Sequence, residues 1–298
     1  MSNHPDGINA LDLLSFLTMT HGTLISTAAL ADLLTDSTSV VVDCRFELAD
    51  TSAGERAYLE AHVPGAPYAH LDRDLSGVKT GLNGRHPLPG PDALAATLGR
   101  LGIASDTQVV AYDQDSGMWA SRLWWLLRWM GHNAVAVLDG GWAAWMREGR
   151  PTAPGVDSRP ARVFTGSVRP ELTISAEALP AFVTAPNSHL VDARAPERFR
   201  GDIEPLDPVG GHIPGAANHF FQWNLADGAF RTRGDLRTQF AQTLGIVRGT
   251  DVVCYCGSGV TACHNLLALE HAGLTGARLY PGSWSEWVAD ASRPIERG

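Results

Sequence analysis

The chain has 298 residues and a formal net charge of −9 at pH 7, with 44% hydrophobic and 18% charged residues. This balance is typical of a globular protein, and the length predicts two domains rather than one. The acidic total, with no dense run of lysine and arginine, argues against a nucleic-acid partner but leaves open a small anionic substrate.

The N-terminal residues 1–17, MSNHPDGINALDLLSFL, have neither a basic start nor a small-residue cleavage site, so they predict no signal peptide. The longest apolar candidate for a membrane helix, WWLLRWM at 124–130, is short and contains Arg128. Three of the four cysteines lie within residues 254–263, unlike the disulfide framework of a secreted domain. We therefore expect a reducing, cytoplasmic setting without membrane partners.

Strand and helix patterns alternate along the first half of the chain. Short β-branched runs predict buried strands at SVVVD (39–43), TQVVAY (107–112) and NAVAVLD (133–139). Amphipathic patterns that end in glycine or polar residues predict helices at ALADLLT (29–35), PDALAATLGRLG (91–102) and SRLWWLLRWMG (121–131). This alternation is typical of a mostly parallel sheet with helices on both faces.

A stretch rich in proline and arginine, residues 151–170, has weak periodicity and predicts a linker between domains at residues 20–150 and 171–298. The second half then repeats the alternation. It has predicted strands at HLVDA (189–193) and DVVCY (251–255), and predicted helices at RTQFAQTLG (237–245) and ACHNLLALEHAG (262–273).

The second half also repeats the motifs of the first half in the same order, which indicates two copies of one domain. The matching pairs are VVDCR (41–45) with LVDAR (190–194), AHVPGA (61–66) with GHIPGA (211–216), QVVAYDQDSG (108–117) with DVVCYCGSG (251–259), and LDGGWAAW (138–145) with LYPGSWSEW (279–287).

The loop CGSGVT, residues 256–261, joins a strand that should end near Tyr255 to the next helix. Ligands of open α/β sheets bind beyond the carboxyl ends of the strands. Gly257 and Gly259 let backbone N–H groups converge on one point, and the helix N-terminus adds positive partial charge. These features favour the thiolate form of Cys256, or the outer sulfur of a persulfide on it. The loop therefore predicts nucleophilic sulfur chemistry at Cys256.

The two neighbouring cysteines have plainer interpretations. Cys254 lies on the strand and is interpreted as a core residue, and Cys263 lies on the helix, where we expect buried packing or, alternatively, a resolving thiol. A zinc site is disfavoured because its ligands would be spread over a strand, a turn and a helix. The sequence implies no metal or organic cofactor.

Together the paired D-x-R strands, the paired H-[VI]-P-G-A turns, the GSWSEW end and the single cysteine loop resemble the two-domain rhodanese family of sulfurtransferases across nearly the whole chain. The loop CGSGVT resembles the 3-mercaptopyruvate sulfurtransferase branch, whereas the thiosulfate branch typically carries CRKGVT. The resemblance implies an α/β fold of two tandem rhodanese-like domains, each a mostly parallel sheet flanked by helices.

The resemblance also implies an activity. The enzyme would move sulfane sulfur from a small anionic donor, 3-mercaptopyruvate, through a Cys256 persulfide to a thiol such as thioredoxin or glutathione, or to cyanide. Thiosulfate:cyanide sulfurtransferase activity is the alternative. In the first copy Asp113 stands at the position of Cys256, so the resemblance implies a catalytically silent first domain that forms a wall of the cleft.

The resemblance implies a relay of three side chains at this site. Ser258 matches the loop serine that joins a histidine and an aspartate of the first domain, which look like His86 in GRHPLPG and Asp72 in YAHLDRD. Such a relay would polarise the substrate carbonyl or protonate the leaving enolate. His86 could instead be a solvated loop histidine, and Asp74 lies close to Asp72 in sequence.

Arg198, in ARAPERFRG, matches the family's substrate-binding arginine and would clamp a carboxylate. The loop residues Gly257, Gly259, Val260 and Thr261 complete the implied substrate site. The remaining paired motif residues are interpreted as structural; these are Arg45, Arg194, His62 and His212.

One departure from the family concerns the substrate carboxylate. Mercaptopyruvate enzymes usually continue into E-P-R, but here Leu206 follows Glu204 and Pro205. Losing one charge-assisted contact would cost about 1.5–3 kcal/mol, or one to two decades in affinity. Either another cation substitutes, or the donor is not mercaptopyruvate. We favour an α-keto thiol, because the neutral loop leaves the carboxylate to Arg198 and the carbonyl end to Ser258.

Two other classes of function are disfavoured. A phosphatase on a similar scaffold needs an arginine at the end of its loop, and residues 257–263 contain no arginine or lysine. A non-catalytic binding protein is favoured by Asp113 for the first copy, but the intact cysteine loop argues against it for the second.

Overall fold

The protein is described from a computed structural model, in which residues 20–298 are placed. The signal-peptide expectation concerns residues 1–17 and lies outside the described residues. Each half of the chain forms an open parallel sheet flanked by helices, as predicted for the fold class.

The first half has four strands in the order β1-β4-β3-β2, and every neighbouring pair is parallel. The strands are β1 (Leu24–Ile25), β2 (Ser39–Asp43), β3 (Gln108–Tyr112) and β4 (Val135–Leu138). The helices are α1 (Thr27–Leu33), α2 (Ala53–Glu60), α3 (Leu71–Asp74), α4 (Pro91–Arg100), α5 (Ala120–Trp129) and α6 (Gly141–Arg147).

The second half has the sheet order β10-β9-β5-β6, again parallel throughout, and a small antiparallel pair β7-β8. The strands are β5 (His189–Asp192), β6 (Ala216–Asn218), β7 (Leu225–Ala226), β8 (Ala229–Phe230), β9 (Val252–Tyr255) and β10 (Arg278–Leu279). The helices are α7 (Leu179–Val183), α8 (Pro196–Arg200), α9 (Arg233–Leu244), α10 (Thr261–His271) and α11 (Ser283–Trp287). In the described part of the chain, no helix is long and apolar enough to cross a membrane.

Isolated β-bridges add further strand pairings that the two sheets have in common. Tyr68 pairs with Asp43 beside β2 as β6 pairs with β5, and Thr173 pairs with Leu279 of β10 as β1 pairs with β4. The repeat seen in the sequence is therefore a repeat of strand order as well.

Buried side chains cover both faces of each sheet. Val40 and Val42 of β2 belong to one apolar cluster and Val41 to a second, because successive residues of a strand point to opposite faces. Because both faces of these strands are buried, their sequences are continuous runs of β-branched residues and do not alternate with polar ones.

The connection between the halves lies against the first half. Arg159 donates to the carbonyl oxygen of Ser39 at 2.6 Å, and Asp157 accepts from the N–H of Gly65 at 2.6 Å. His62 bridges the carbonyl of Tyr58 and the Asp157 carboxylate, at 2.8 and 3.0 Å, in the structural role expected from the sequence.

The two halves share one core. Helix α5 packs against α10, and a single cluster of buried apolar residues includes Leu123 and Leu127 of α5 with Cys263 and Leu267 of α10. This packing brings loops of both halves to the carboxyl end of β9, where the cysteine loop begins.

His264 of α10 links the halves through a specific hydrogen-bond pattern. The Asn224 side-chain amide donates to Nδ1 of His264 at 3.1 Å, so Nε2 carries the proton and donates to the carbonyl of Ser116 at 2.9 Å. Burial lowers the pKa of His264 to about 4 from its ordinary value of 6.5. The imidazole is therefore neutral in the folded protein at neutral pH.

This histidine should make the protein less stable in acid. Below its ordinary pKa of 6.5 the unfolded chain binds a proton at His264 that the folded chain takes up only near pH 4. The loss amounts to about 3 kcal/mol at about pH 4. Urea unfolding at neutral and acidic pH measures the drop in the free energy of unfolding on acidification. For the His264→Gln protein this drop should be smaller than for wild type by that amount. Equal drops in the two proteins would contradict a neutral, buried His264.

Candidate active site

Cys256 directly follows β9 and is 2% exposed. Its sulfur accepts the backbone N–H groups of Ser258 at 3.4 Å and Gly259 at 3.2 Å. The GSWSEW segment binds the backbone of this loop. Ser283 Oγ accepts the N–H of Cys256 at 3.1 Å, and the backbone N–H of Trp284 donates to the carbonyl of Cys256 at 2.9 Å. Two amides directed at one sulfur favour a negative charge there.

Gly259 is required by the shape of the loop. Its φ of +78° lies in the left-handed region, and a side-chain carbon at this position would lie 2.4 Å from the carbonyl oxygen of Pro281. The residue faces two ways, because its N–H is directed at the Cys256 sulfur while its carbonyl points to the buried side of the loop.

Ser258, His86 and Asp72 form a chain across the two halves. Ser258 Oγ lies 2.7 Å from Nδ1 of His86, and Nε2 of His86 lies 3.6 Å from Oδ1 of Asp72. Lys79 donates to the same Asp72 oxygen at 2.8 Å. His86 is buried, so the solvated-loop alternative is wrong.

Asp74, the sequence neighbour that could have competed for this place, points elsewhere. It accepts the N–H of His70 at 2.8 Å and binds Arg100 at the surface. Asp72 is therefore the carboxylate behind His86.

Charge states differ along this chain of side chains. Burial, with the nearby Arg122 charge, lowers the pKa of His86 to about 3. Burial opposes ionisation of Asp72, but the Lys79 hydrogen bond and charge outweigh it and lower the pKa of Asp72. At neutral pH the site holds a neutral imidazole between a hydroxyl and an anionic carboxylate.

Two arginines flank the cysteine loop. Arg198 of α8 donates to Glu204 at 2.7 Å, and Arg85, next to His86, is paired with Asp207. A side-chain carbon at position 257 would lie 2.8 Å from Nη2 of Arg85 and 3.5 Å from Nη2 of Arg198. A second guanidinium therefore lies beside the cysteine loop, next to Asp207, and it comes from the other half of the chain.

A cavity of about 460 Å³ opens in front of these groups. Gly257, Val260 and Thr261, the loop residues predicted to bind substrate, line it together with Cys256 and Ser258. Gly259 does not line it and contributes its N–H to the sulfur instead. The rest of the wall is mostly apolar and comes from both halves: Phe46, Met118, Trp119, Leu206, Phe220 and Phe221.

In the corresponding loop of the first half, the backbone N–H groups bind a carboxylate. Asp113 is 1% exposed and accepts the N–H groups of Gly117, Trp119 and Ala120 at 2.9, 2.7 and 3.1 Å. Its own side chain fills the place at which the second half holds a sulfur. This loop holds no cysteine.

The other two cysteines of the segment are enclosed. Cys254 and Cys263 are 0% exposed, and burial raises the pKa of the Cys263 thiol to about 12. Cys263 Sγ donates to the carbonyl of Gly259 at 3.2 Å. All four cysteines are free thiols, and in residues 20–298 no group of three or more His, Cys, Asp or Glu side chains is placed to hold a metal.

The paired D-x-R motifs brace each sheet. Arg45 binds Asp43 and Arg194 binds Asp192, each at 2.7 Å, and Arg194 also reaches Glu204 at 3.2 Å. His212 Nδ1 donates to the carbonyl oxygen of Phe199 at 2.9 Å. These contacts fit the structural interpretation of the motifs.

Two residues near the site were missed from the sequence. Arg85 adjoins His86 in GRHPLPG, and that adjacency was a usable signal. Arg122 lies on α5, is fully buried, and donates to the carbonyls of Gly259 at 3.0 Å and His86 at 3.1 Å. Its segment predicts an amphipathic helix, which gives no sign of such a role.

Comparisons with known proteins identify the family of both halves of the chain. The family model described as Rhodanese-like domain matches residues 26–148 and 175–290. The probable 3-mercaptopyruvate sulfurtransferase of Pseudomonas aeruginosa is 47% identical over 94% of this chain and 100% of that protein. The putative thiosulfate sulfurtransferase SseB of Mycobacterium tuberculosis is 41% identical over 92% of this chain and 97% of that protein.

Among solved structures, SseA from Escherichia coli, described as one of the 3-mercaptopyruvate sulfotransferases, has a TM-score of 0.78 at 29% identity and covers 89% of this chain and 99% of its own. The human 3-mercaptopyruvate sulfurtransferase is 36% identical over 79% of this chain and 80% of that protein. With family matches in both halves, the chain belongs to the rhodanese family, as a two-domain sulfurtransferase of the 3-mercaptopyruvate sulfurtransferase branch.

Proposed function

We propose that this sulfurtransferase takes sulfur from 3-mercaptopyruvate onto Cys256 as a persulfide and passes it to a thiol or to cyanide. The observation that supports this most is the 2.7 Å contact between Ser258 and His86, beside a sulfur held by two backbone N–H groups. Residues 171–298 would form the catalytic domain, and residues 20–150, beyond the linker at 151–170, would supply His86 and Asp72.

In the first step the Cys256 thiolate attacks the donor sulfur. An S–S bond forms, the C–S bond breaks, and its electron pair leaves on carbon as the pyruvate enolate. The Ser258 hydroxyl donates to the ketone oxygen as negative charge develops there. A neutral His86 can return a proton to Ser258 from one nitrogen while accepting one at the other, and the partly exposed Asp72 connects it to solvent.

In the second step an acceptor thiolate or cyanide attacks the outer sulfur of the persulfide. The S–S bond breaks and its electron pair returns to Cys256 as thiolate, so no external oxidant or reductant is needed. Thioredoxin, glutathione and cyanide are all chemically competent acceptors. We expect the cellular setting to be the reducing cytoplasm, in keeping with four free thiols.

Thiosulfate is the alternative donor, and it is supported by the similarity to the relative named a putative thiosulfate sulfurtransferase. Its leaving group, sulfite, has no ketone to polarise, so a Ser258–His86–Asp72 relay would have no function with it. The relay therefore favours the α-keto thiol. Arg85 and Arg198 would bind the carboxylate of that donor, with Arg85 in the place of the arginine that Leu206 replaces.

Removing the Arg85 guanidinium should weaken donor binding. We expect Arg85→Met to raise KM for 3-mercaptopyruvate about 10- to 100-fold, the loss of one charge-assisted contact, with a smaller change in kcat. Steady-state kinetics with cyanide as acceptor measures this. Arg200→Met is the matched control, because Arg200 is on α8 beside Arg198 but pairs with Asp202 at the surface. An unchanged KM in Arg85→Met would rule out Arg85 as the second cation.

The proposed donor is tested by kcat/KM for 3-mercaptopyruvate and for thiosulfate under the same conditions. A preference of about tenfold or more for 3-mercaptopyruvate, that is about 1.4 kcal/mol in transition-state binding, is the expected result. A preference for thiosulfate would overturn the donor while leaving the sulfurtransferase assignment intact.

A further inference from the structure

Arg122 is a fully buried cation that binds backbone carbonyls. Its guanidinium donates to the carbonyl oxygens of Gly259, His86, Pro87 and Leu75, at 3.0, 3.1, 3.4 and 3.3 Å. In the described part of the chain no carboxylate pairs with it, in contrast to the buried Arg45 and Arg194, which both bind aspartates. Burying a charge without a counter-ion is costly, so this arrangement needs a compensating cause.

The guanidinium lies just behind the cysteine loop. Gly259 directs its N–H at the Cys256 sulfur and its carbonyl at Arg122, so one residue separates the sulfur from the cation. The same side chain holds the carbonyls of His86 and Pro87, which belong to the segment that faces Ser258. Arg122 therefore fastens the two loops whose contact forms the relay.

Most charges on the cavity side of Cys256 are paired, and the further charged side chain that lines the cavity, Glu47, is an acid and adds no cation. Three arginines and three carboxylates form one paired cluster there: Arg85, Arg194 and Arg198 with Asp192, Glu204 and Asp207. His86 is neutral because burial lowers its pKa to about 3, and burial keeps the thiols of Cys254 and Cys263 protonated by raising their pKa. Lys79 and Asp72 pair with each other behind His86.

We propose that Arg122 is the uncompensated charge that stabilises the anionic forms of Cys256, both the thiolate and the terminal persulfide, while it positions the cysteine loop against the His86 segment. An anion on Cys256 in turn supplies the counter-charge that Arg122 lacks. Arg122 lies against the buried Cys263 thiol and makes no hydrogen bond to the Cys256 sulfur or to the cavity, so it acts as a positioning residue. This inference rests on the proposed role of Cys256 as the nucleophile.

The test is the pH dependence of alkylation of Cys256 by iodoacetamide, followed by the mass of the peptide that contains it. In Arg122→Gln, which keeps a hydrogen-bond donor without charge, and in Arg122→Met, which keeps neither, we expect the midpoint to rise by about one unit or more. Arg128→Gln is the matched control, because Arg128 is on the same helix, pairs with Glu270 at 2.5 Å and does not line the cavity. Its midpoint should match that of wild type.

A merely structural role predicts a different pattern. The thermal midpoint would fall in the Arg122 variants while the alkylation midpoint of the folded fraction stayed at the wild-type value, and this result would overturn the proposal. If neither variant folds, the wild type decides. Its alkylation midpoint should be nearly the same in low salt and in about 1 M NaCl, because screening weakens exposed charges and not a sealed one. A salt-induced rise of about half a unit or more would assign the stabilisation to the exposed rim arginines and contradict the proposal.

Alkylation needs no sulfur donor, so it tests the role of Arg122 independently of the sulfurtransferase activity. A wild-type protein that forms no persulfide with any donor refutes the proposed function, whatever the alkylation profile. A protein that forms the persulfide but shows no dependence of the alkylation midpoint on Arg122 refutes this inference alone.

Discussion

Replacing Cys256 by serine is expected to lower sulfur transfer by at least about 10³-fold with every donor, because a serine hydroxyl is a far weaker nucleophile than a thiolate and cannot carry a sulfane sulfur. Folding should be little affected, since the two N–H groups that bind the sulfur can also bind a hydroxyl oxygen. Initial rates with 3-mercaptopyruvate and with thiosulfate, cyanide being the acceptor, measure the loss.

Cys263→Ala is the matched control for that experiment. Cys263 is a buried thiol of the same segment, and its sulfur contacts the carbonyl of Gly259 rather than the cavity. Activity within a few-fold of wild type is expected if it serves packing. A loss in Cys263→Ala as deep as in Cys256→Ser would instead support the resolving-thiol alternative, and residual transfer by Cys256→Ser would contradict the mechanism.

The second large effect should depend on the donor. Ser258→Ala and His86→Ala are each expected to lower kcat for 3-mercaptopyruvate by about 10²- to 10³-fold, the usual contribution of a positioned acid or polarising donor. With thiosulfate the same variants should change kcat only a few-fold, because sulfite leaves without a proton. The double variant should be little worse than either single one, since the two side chains act as a unit.

His132→Ala is the control that separates catalysis from stability. This histidine is also buried, but it contacts the carbonyl of Ala134 and lies away from the cavity. It should lower the thermal midpoint and leave kcat near the wild-type value. Equal losses with both donors in Ser258→Ala would show that the serine serves the loop and not the carbonyl of the donor.

The fold was predictable because apolar periodicity and internal repetition report on it directly. Runs such as SVVVD at 39–43 are buried on both faces of a sheet, and the predicted bounds of β2 coincide with those found. The strand before the cysteine loop ends at Tyr255 as expected, so Cys256 lies just beyond the carboxyl end of β9. The prediction of nucleophilic sulfur chemistry at Cys256 needs only the residues of this loop, whereas the role of Ser258 came from the family resemblance.

The contributions that cross between the halves were harder to predict. Asp72 and Asp74 both lie on the single-turn helix α3, and residues two apart on a helix point in opposite directions, so nothing in LDRD tells which one meets His86. Arg85, which we propose replaces the cation missing beside Glu204, belongs to the first half, and only the packing of the two halves brings it to this site. Arg122 lies in an amphipathic helical pattern, and the pattern does not tell that the packing of both halves covers this arginine completely.

Sulfur is expected to travel through Cys256, and mass spectrometry of the intact chain and of its peptides can detect it there. After incubation with 3-mercaptopyruvate without acceptor, the wild-type chain should gain one sulfur, about +32 Da, on the peptide containing Cys256, and cyanide should remove it. The Cys256→Ser chain should gain nothing. An unchanged mass in a wild-type sample that turns over donor, or an added sulfur on another cysteine, would show that Cys256 is not the sulfur carrier.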